Sequence, residues 1–373
     1  MAKEITVAVL TEPRKIEIKK IPWPMLHENE ILLKMEMCGV CGTDVHYYRG
    51  ALHPSGATIY PIILGHEIVG TVEEVGKKAN ETMKITEGTL QKGDRVVVFG
   101  AITCDKCWGC RHFGNVNHLD CTARPPGPKG FQDYIVLPPN TLIWKIPDDV
   151  PFEVAVLADP LAIGVRAVDE ILSLGTLSNN ALLPYSGTVV IQGSGAVGVL
   201  AAAACRIAGA GKIIMTGSPA SRLKIAEDLG VVDCTIDIKE VGLEERIKKV
   251  LEMTPGGYGA DVVIEAAGAP EAFLEGLKMV RKGGTFIEMG NFLDVGRPVQ
   301  LNVCRDLCYK DFNLHTIWAP SPRHFEKAIN MLVNNRHRYH FEKLVTHKFK
   351  LVDVAKALET AAKEECLKAV IIG

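Results

Sequence analysis

The sequence predicts an α/β protein of two domains, one an irregular β-barrel-type domain and the other a doubly wound parallel sheet. Three observations predict it. The chain has 373 residues, more than a single core comfortably holds. Up to Val150, short runs rich in β-branched residues alternate with Gly, Pro, Asn and Asp clusters, and no helical period is sustained. Beyond Val150–Pro151, apolar strand cores alternate with helical patterns.

The strand-like runs of the first part are Thr6–Leu10, Lys15–Lys20, Ile31–Met37, Ile68–Val75, Arg95–Phe99 and Tyr134–Leu137. Apolar residues at helical spacing then fill Glu153–Leu172. The strand cores Thr188–Gln192, Lys212–Thr216, Asp261–Glu265 and Thr285–Met289 follow, interleaved with helices at Val197–Ala208, Arg222–Leu229, Leu243–Glu252 and Glu271–Val280. Such alternation requires right-handed crossovers and gives a parallel sheet covered on both faces. After Ala319 a helix (His324–Val333), strand-like Leu344–Phe349, a short helix and Ala369–Ile372 have no place in that sheet. They are expected to return to the first domain. The boundaries are therefore 1–160 with 320–373, and 161–319.

Composition narrows the classes of function. Apolar residues make up 47% of the chain and charged residues 23%, ordinary for a globular protein. Forty-two Lys and Arg against 44 Asp and Glu leave no basic surplus for nucleic acid or an anionic membrane. Met1-Ala2-Lys3-Glu4 lacks the basic-then-apolar run of a secretory signal. The longest apolar stretch, Val197–Cys205, is ended by Arg206 and is too short to cross a bilayer. Eleven cysteines, some at metal-type spacing, fit a reduced cytoplasmic protein better than a disulfide framework.

Gly193-Ser194-Gly195-Ala196-Val197-Gly198 directly follows the strand Thr188–Gln192 and opens an Ala-rich helix. The first glycine makes the tight turn and the second lets backbone approach a pyrophosphate. The third permits close helix–strand packing, and the helix N-terminus presents free N–H donors. The turn is thus expected to bind a dinucleotide, NAD(P). The next strand ends in Gly217-Ser218-Pro219, with no carboxylate before Glu227 to hold ribose hydroxyls or repel a 2′-phosphate. Ser218, Ser221 and Arg222 can donate to such a phosphate, which favours NADP. Lys368 is a further candidate cofactor contact.

Cys104-x2-Cys107-x2-Cys110-x10-Cys121 offers four thiolates on one loop. Zinc accepts tetrahedral S4 coordination and closes such a site, stapling a loop poor in core; an iron–sulfur cluster is the rival occupant. Gly109, Gly114 and Asn117 suit a turn-rich lobe.

A second donor set is dispersed. Cys38-Gly39-Val40-Cys41-Gly42-Thr43-Asp44-Val45-His46 follows the strand Ile31–Met37; Gly65-His66-Glu67 and Asp159-Pro160 come later. Cys38 and Cys41 form a Cys-x-x-Cys, but paired glycines in a β-rich setting do not suit a redox helix start. Cys41, His66 and one or two of Glu67 and Asp159 provide three protein ligands and an exchangeable position, the mark of a catalytic zinc.

With these motifs in this order, the chain resembles the zinc-dependent medium-chain dehydrogenase/reductase superfamily, the group of alcohol, sorbitol and threonine dehydrogenases. The resemblance runs end to end. It implies a GroES-like catalytic domain with a zinc lobe, a Rossmann domain, and two zinc ions per chain, one catalytic and one structural. It implies Cys41 and His66 as zinc ligands, Glu67 as ligand or close neighbour, Asp159 as third ligand or water bridge, and Thr43 with His46 as a proton relay. The implied reaction moves hydride between a secondary alcohol or polyol, or its ketone or aldehyde, and NAD(P). A metal-free enone or quinone reductase and a non-catalytic nucleotide-binding protein are the rival readings. The family forms dimers and tetramers, so a homo-oligomer is expected, with Thr285–Met289 as the edge strand serving it.

Two departures from the family pattern stand out. The gap before Cys121 is long, which predicts a bulge at Asn115–His118. Thr316-Ile317-Trp318-Ala319-Pro320 lacks the arginine that many polyol enzymes place near substrate. Tyr47, Phe131 and Trp318 are candidate pocket walls or core residues.

Overall fold

Nine strands open the chain in this computed structural model, which describes residues 3–50, 60–113, 121, 126–178, 187–294 and 296–373. They are β1 (Glu4–Glu12), β2 (Lys15–Pro22), β3 (Ile31–Gly39), β4 (Ile62–Ile63), β5 (Glu67–Val75), β6 (Lys84–Ile85), β7 (Arg95–Phe99), β8 (Tyr134–Leu137) and β9 (Leu142–Lys145). Four short helices sit among and after them: α1 (Gly42–Tyr48), α2 (Ala79–Thr82), α3 (Trp108–Phe113) and α4 (Phe152–Ala155). The second part holds β10 (Thr188–Gln192), β11 (Lys212–Gly217), β12 (Cys234–Asp237), β13 (Ala260–Glu265), β14 (Val280–Glu288) and β15 (Asn313–Thr316). Helices α5 (Ala158–Ser178), α6 (Ala196–Ile207), α7 (Ala220–Asp228), α8 (Leu243–Glu252) and α9 (Pro270–Met279) accompany them. The chain ends with α10 (Pro322–Tyr339), β16 (Val345–Lys350), α11 (Val354–Ala361) and β17 (Lys368–Ile372).

Two compact units result, Met1–Asp159 with Ser321–Gly373, and Pro160–Pro320. In the first, β17 pairs antiparallel with β3, with Ile371 opposite Cys38. One sheet runs β16-β17-β3-β5-β7-β9-β6, with β8 also on β3, and a second runs β2-β1-β4. Alternation along β1 and β3 turns Ala8, Leu10, Leu33 and Met35 into one core with Ile68, Val98 and Ile371.

In the second unit the strand order is β12-β11-β10-β13-β14-β15, every pair parallel. All five residues of β10 are buried, because helices cover both faces of a parallel sheet. The order reverses between β10 and β13, and a crevice at the carboxyl ends of the strands opens at such a reversal. Close packing of α5 on α6 rests on Gly164, where a Cβ would stand 2.8 Å from Ala201 Cα. The expected α/β class, a β-barrel-type domain plus a doubly wound parallel sheet, is what the chain adopts.

Several local expectations are corrected. Thr285–Met289 is not an edge strand: β14 lies between β13 and β15, and the edges are the short, partly polar β12 and β15. Glu153–Leu172 is not one helix but two, α4 and α5, parted at Val156–Leu157. The stretch after Cys41 is helix α1, in a part of the chain where no helical period is sustained. Among the described residues no helix is long and apolar enough to cross a membrane.

Candidate active site

Strand β3 delivers Cys38 and Gly39, and the chain then turns into α1 with Cys41 at its N-cap. Asp44, at the third helical position, closes a capping box on the Cys41 backbone: its Oδ2 accepts from Cys41 N at 3.0 Å. Asp44 Oδ1 accepts from Gly65 N at 3.1 Å and lies 3.6 Å from His66 Nδ1. One buried carboxylate therefore ties the Cys41 turn to the His66 turn. Sequence reasoning quoted Asp44 within its motif but gave it no role; the cap-like spacing from Cys41 was the available signal.

Gly65 takes φ +87°, a left-handed conformation that glycine adopts without strain, and a Cβ there would stand 2.6 Å from Phe131. That turn brings His66 to Cys41 just before β5 begins at Glu67. One donor atom each from Cys41, His66 and Glu67 lies within 4.8 Å of the others. Asp159, two residues into α5, is not in that group, yet its carboxyl belongs to the same field. Burial pushes it up to about 6, with Glu67 and Asp44 adding to the rise and His66 and Lys368 opposing it. Burial also disfavours a charged His66 imidazole, but the adjoining Asp44 and Cys41 outweigh it and hold the pKa well above 6.5.

Glu67 is 2% exposed and ion-paired with Lys368, which is itself 4% exposed. Lys368 Nζ also donates to Val40 O at 3.1 Å. The Lys368 ammonium, expected as a cofactor contact, lies buried on β17 as the counter-ion of Glu67. Gly39 has to be glycine, because a Cβ there would occupy the position of Glu67 Oε2.

Thr43 Oγ1 lies 3.6 Å from Cys41 Sγ. His46 is on the last turn of the same helix, half-buried, and burial together with Arg49 lowers its pKa below 6.5. Phe131 is fully buried in the first unit's core, so it is a packing residue and not a pocket wall. Tyr47 packs partly buried against that core. Trp318 is 46% exposed in the second unit.

The sulfurs of Cys104, Cys107, Cys110 and Cys121 lie within 4.8 Å of one another. Backbone N–H groups of Cys107, Cys104 and Cys110 point at the sulfurs of Cys104, Cys121 and Cys107 at 3.3, 3.3 and 3.5 Å. Donors aimed at sulfur favour thiolates, the form a metal requires. Gly114, Asn117 and the bulge expected at Asn115–His118 lie outside the described residues.

In the second unit, Gly193 takes φ +105°, and a Cβ there would stand 2.7 Å from Ala266 O. A Cβ on Gly198 would overlap Gly193 O, while that of Gly195 would meet open space. The tight turn, the close packing and the open face thus fall on the first, third and second glycines. Ala196 and Val197 begin α6. Ser194 Oγ donates to Ser218 O at 3.0 Å, bridging the ends of β10 and β11. A Cβ on Gly217 would stand 2.6 to 2.8 Å from Ser194 Oγ, Cβ and N, so that strand end has no room for an acid while Ser194 is present. Arg222 lies partly buried on the first turns of α7.

A β-rich unit gathering thiolate, imidazole and carboxylate and a parallel-sheet unit with a dinucleotide turn, on one chain, define a zinc-type dehydrogenase. Residues 27–148 match the family described as alcohol dehydrogenase GroES-like domain, and residues 196–334 that described as zinc-binding dehydrogenase. Sorbitol dehydrogenase from Bacillus subtilis is 30% identical over 99% of this chain and 97% of its own length. L-threonine 3-dehydrogenase from Bacillus velezensis is 28% identical over 95% of this chain and 94% of its own. An alcohol dehydrogenase crystal structure from Thermotoga maritima superposes with a TM-score of 0.86 at 29% identity, covering 100% of both chains. The chain belongs to the zinc-dependent medium-chain dehydrogenase/reductase superfamily, and it is an oxidoreductase of the zinc-type alcohol dehydrogenase class.

Proposed function

We propose that the chain is a zinc-dependent dehydrogenase that moves hydride between a secondary alcohol or polyol, or its carbonyl form, and NAD(P), with NADP preferred. The observation that carries this reading is the meeting of Cys41, His66 and Glu67 donor atoms within 4.8 Å. Relatives named for sorbitol and threonine support the substrate class. In this reading Cys41 and His66, with Glu67 or Asp159, hold a catalytic zinc, and the four lobe cysteines hold a structural one. A soft thiolate, an imidazole and a carboxylate are the donor types of a catalytic zinc, and four thiolates suit a closed site. When bound, zinc supplies the Lewis acidity that brings an alcohol hydroxyl toward neutral pKa, and the nicotinamide supplies the hydride acceptor.

The chain's own residues do the rest. Asp44 fixes the His66 ring and the Cys41 turn, so the donors keep their spacing without a rearrangement on metal loading. Lys368 balances the charge of Glu67, which keeps a second anion tolerable in a buried site. Thr43 Oγ1, next to Cys41 Sγ, takes the hydroxyl proton and passes it on. The lowered pKa of His46 leaves its ring neutral at pH 7, ready to receive that proton. On the nucleotide side, α6 presents its N-terminal N–H groups across the open face of Gly195, while Ser218, Ser221 and Arg222 provide donors without an opposing acid.

The test is a screen of secondary alcohols and polyols with NAD and NADP, before and after chelation. Turnover that depends on metal and is faster with NADP supports the reading. Reduction of enones that survives complete chelation contradicts it.

A further inference from the structure

The second unit contains a pair of carboxyl groups that the dehydrogenase reading does not use. Glu265 and Glu288 end the neighbouring parallel strands β13 and β14 and stand opposite each other in register. Glu265 is fully buried. Its Oε1 accepts from Ala267 N at 2.7 Å and Gly268 N at 2.9 Å, and its Oε2 from Asn291 Nδ2 at 3.2 Å. Glu288 Oε1 accepts from Gly290 N at 3.1 Å and Asn291 N at 3.0 Å. Glu288 Oε2 is buried with no hydrogen-bond partner. Ionised carboxylates only accept, so two of them side by side leave that oxygen without a donor and two like charges unscreened. A single proton held between the two groups removes both costs.

The loops tied down by this pair flank the sheet's carboxyl end, where the strand order reverses. Ala266 and Ala267 pack on Gly193 of the dinucleotide turn. Gly268 stands against Gly290, and Gly290 has to lack a side chain because a Cβ would overlap Glu265 Oε2.

We propose that Glu265 and Glu288 are positioning residues that share one proton and thereby hold the 266–268 and 290–291 loops in the form that binds the dinucleotide. This rests on the dehydrogenase reading for the identity of the ligand. Loss of the proton to solvent at alkaline pH leaves two adjacent anions, Glu265 fully buried and Glu288 half-buried, which separate and release the loops. The neighbours supply no compensating charge. Gln192 of β10 and Thr316 of β15, beside the pair in register, are uncharged. Asp294 and Arg297 line a cavity with Glu288, Asn291, Pro270 and Phe273, and Arg297 is held by Glu271 of α9 at 2.9 Å. Among the described residues neither carboxylate has a cationic partner. Consistent with this, burial and the adjacent Glu288 push Glu265 up to about 8.

The test is NADPH and NADH binding by the full-length, zinc-loaded chain, followed by nucleotide fluorescence from pH 6.5 to 10. The wild type is expected to weaken above the pair's ionisation with a slope approaching tenfold per pH unit, the limit for one linked proton. Glu288→Gln keeps a permanent N–H between the groups, so its affinity should lose that slope; Glu288→Ala should weaken binding throughout. Parallel curves for wild type and Glu288→Gln overturn the proposal. Infrared difference spectra separate its failure from that of the dehydrogenase reading. The wild type should show a protonated-carboxyl band at pH 7 that vanishes by pH 10 and is missing in Glu288→Gln and Glu265→Gln. If no nucleotide binds at any pH, the dehydrogenase reading fails, and the binding role of the pair fails with it even where the band is present. Absence of the band in the wild type overturns the shared proton whatever the binding shows.

Discussion

Asp44 shows how much of a metal site resides in residues that never reach the metal. Its two oxygens are committed to Cys41 N and Gly65 N, and its charge faces His66. Asp44→Asn keeps the volume but turns an amide N–H toward a backbone donor, leaving one of them unsatisfied. Zinc affinity should fall by about 10–100-fold, as it does when such supporting partners are lost; competition with a chelator of known affinity measures it, and an unchanged constant contradicts the role. His46 carries a second residue-scale expectation. Its folded pKa is below 6.5, so the neutral ring is populated at pH 7 and protonated only on further acidification. The acid limb of alcohol oxidation should therefore have its midpoint below pH 6.5. Removing the ring in His46→Ala should lower kcat by about 100-fold, the low end of general-base contributions. A midpoint that stays in place in the variant assigns the limb to another group.

At the scale of elements, the turn between β10 and α6 tolerates little. Gly193→Ala has both a left-handed φ and a contact of 2.7 Å to Ala266 O against it. A cost of about 1–3 kcal/mol is expected from the backbone alone, with loss of nucleotide binding; thermal unfolding and NADPH titration read the two effects separately. The β13–β14 carboxyl pair makes a stability prediction as well. The folded unit keeps a proton on Glu265 up to about pH 8, whereas the unfolded chain releases it near 4.5. The contribution of Glu265 to stability should then be fully present below 4.5, decline as pH rises to about 8 and level off beyond, and the difference between wild type and Glu265→Gln should trace that decline. These elements were legible to different degrees. The cores of β10, β11, β13 and β14 are apolar runs rich in β-branched residues, largely buried, and stand out against the helices between them. The short β12 and β15 bury little and have mixed polarity, so local pattern does not distinguish them from loop. Helix α1 was hidden because its start is a cysteine cap among glycines, and the capping box only closes once the chain is folded. Donor types and spacing pointed to Cys41, His66, Glu67 and Asp159, of which the fold gathers the first three within 4.8 Å and leaves Asp159 outside that group. The Glu67–Lys368 pair was not visible, since it joins residues separated by nearly the whole chain through the β17–β3 ladder.

At the scale of the whole molecule, family membership sets the chemistry and the chain's own residues set its particular form. A second unit with Ser194 packed against Gly217 has traded the space of a ribose acid for a bridge between strand ends. Arg222→Ala should accordingly narrow the ratio of kcat/KM for NADP over NAD, and an unchanged ratio would remove Arg222 from coenzyme choice. In the proposed function two zinc ions are held per chain and only the Cys41 site supports turnover. Zinc per chain, measured by mass spectrometry on folded wild type and Cys41→Ala alongside turnover, tests it most directly. Two equivalents with activity are expected in the wild type, and one equivalent with none in the variant. Two equivalents, or undiminished turnover, in Cys41→Ala would contradict it.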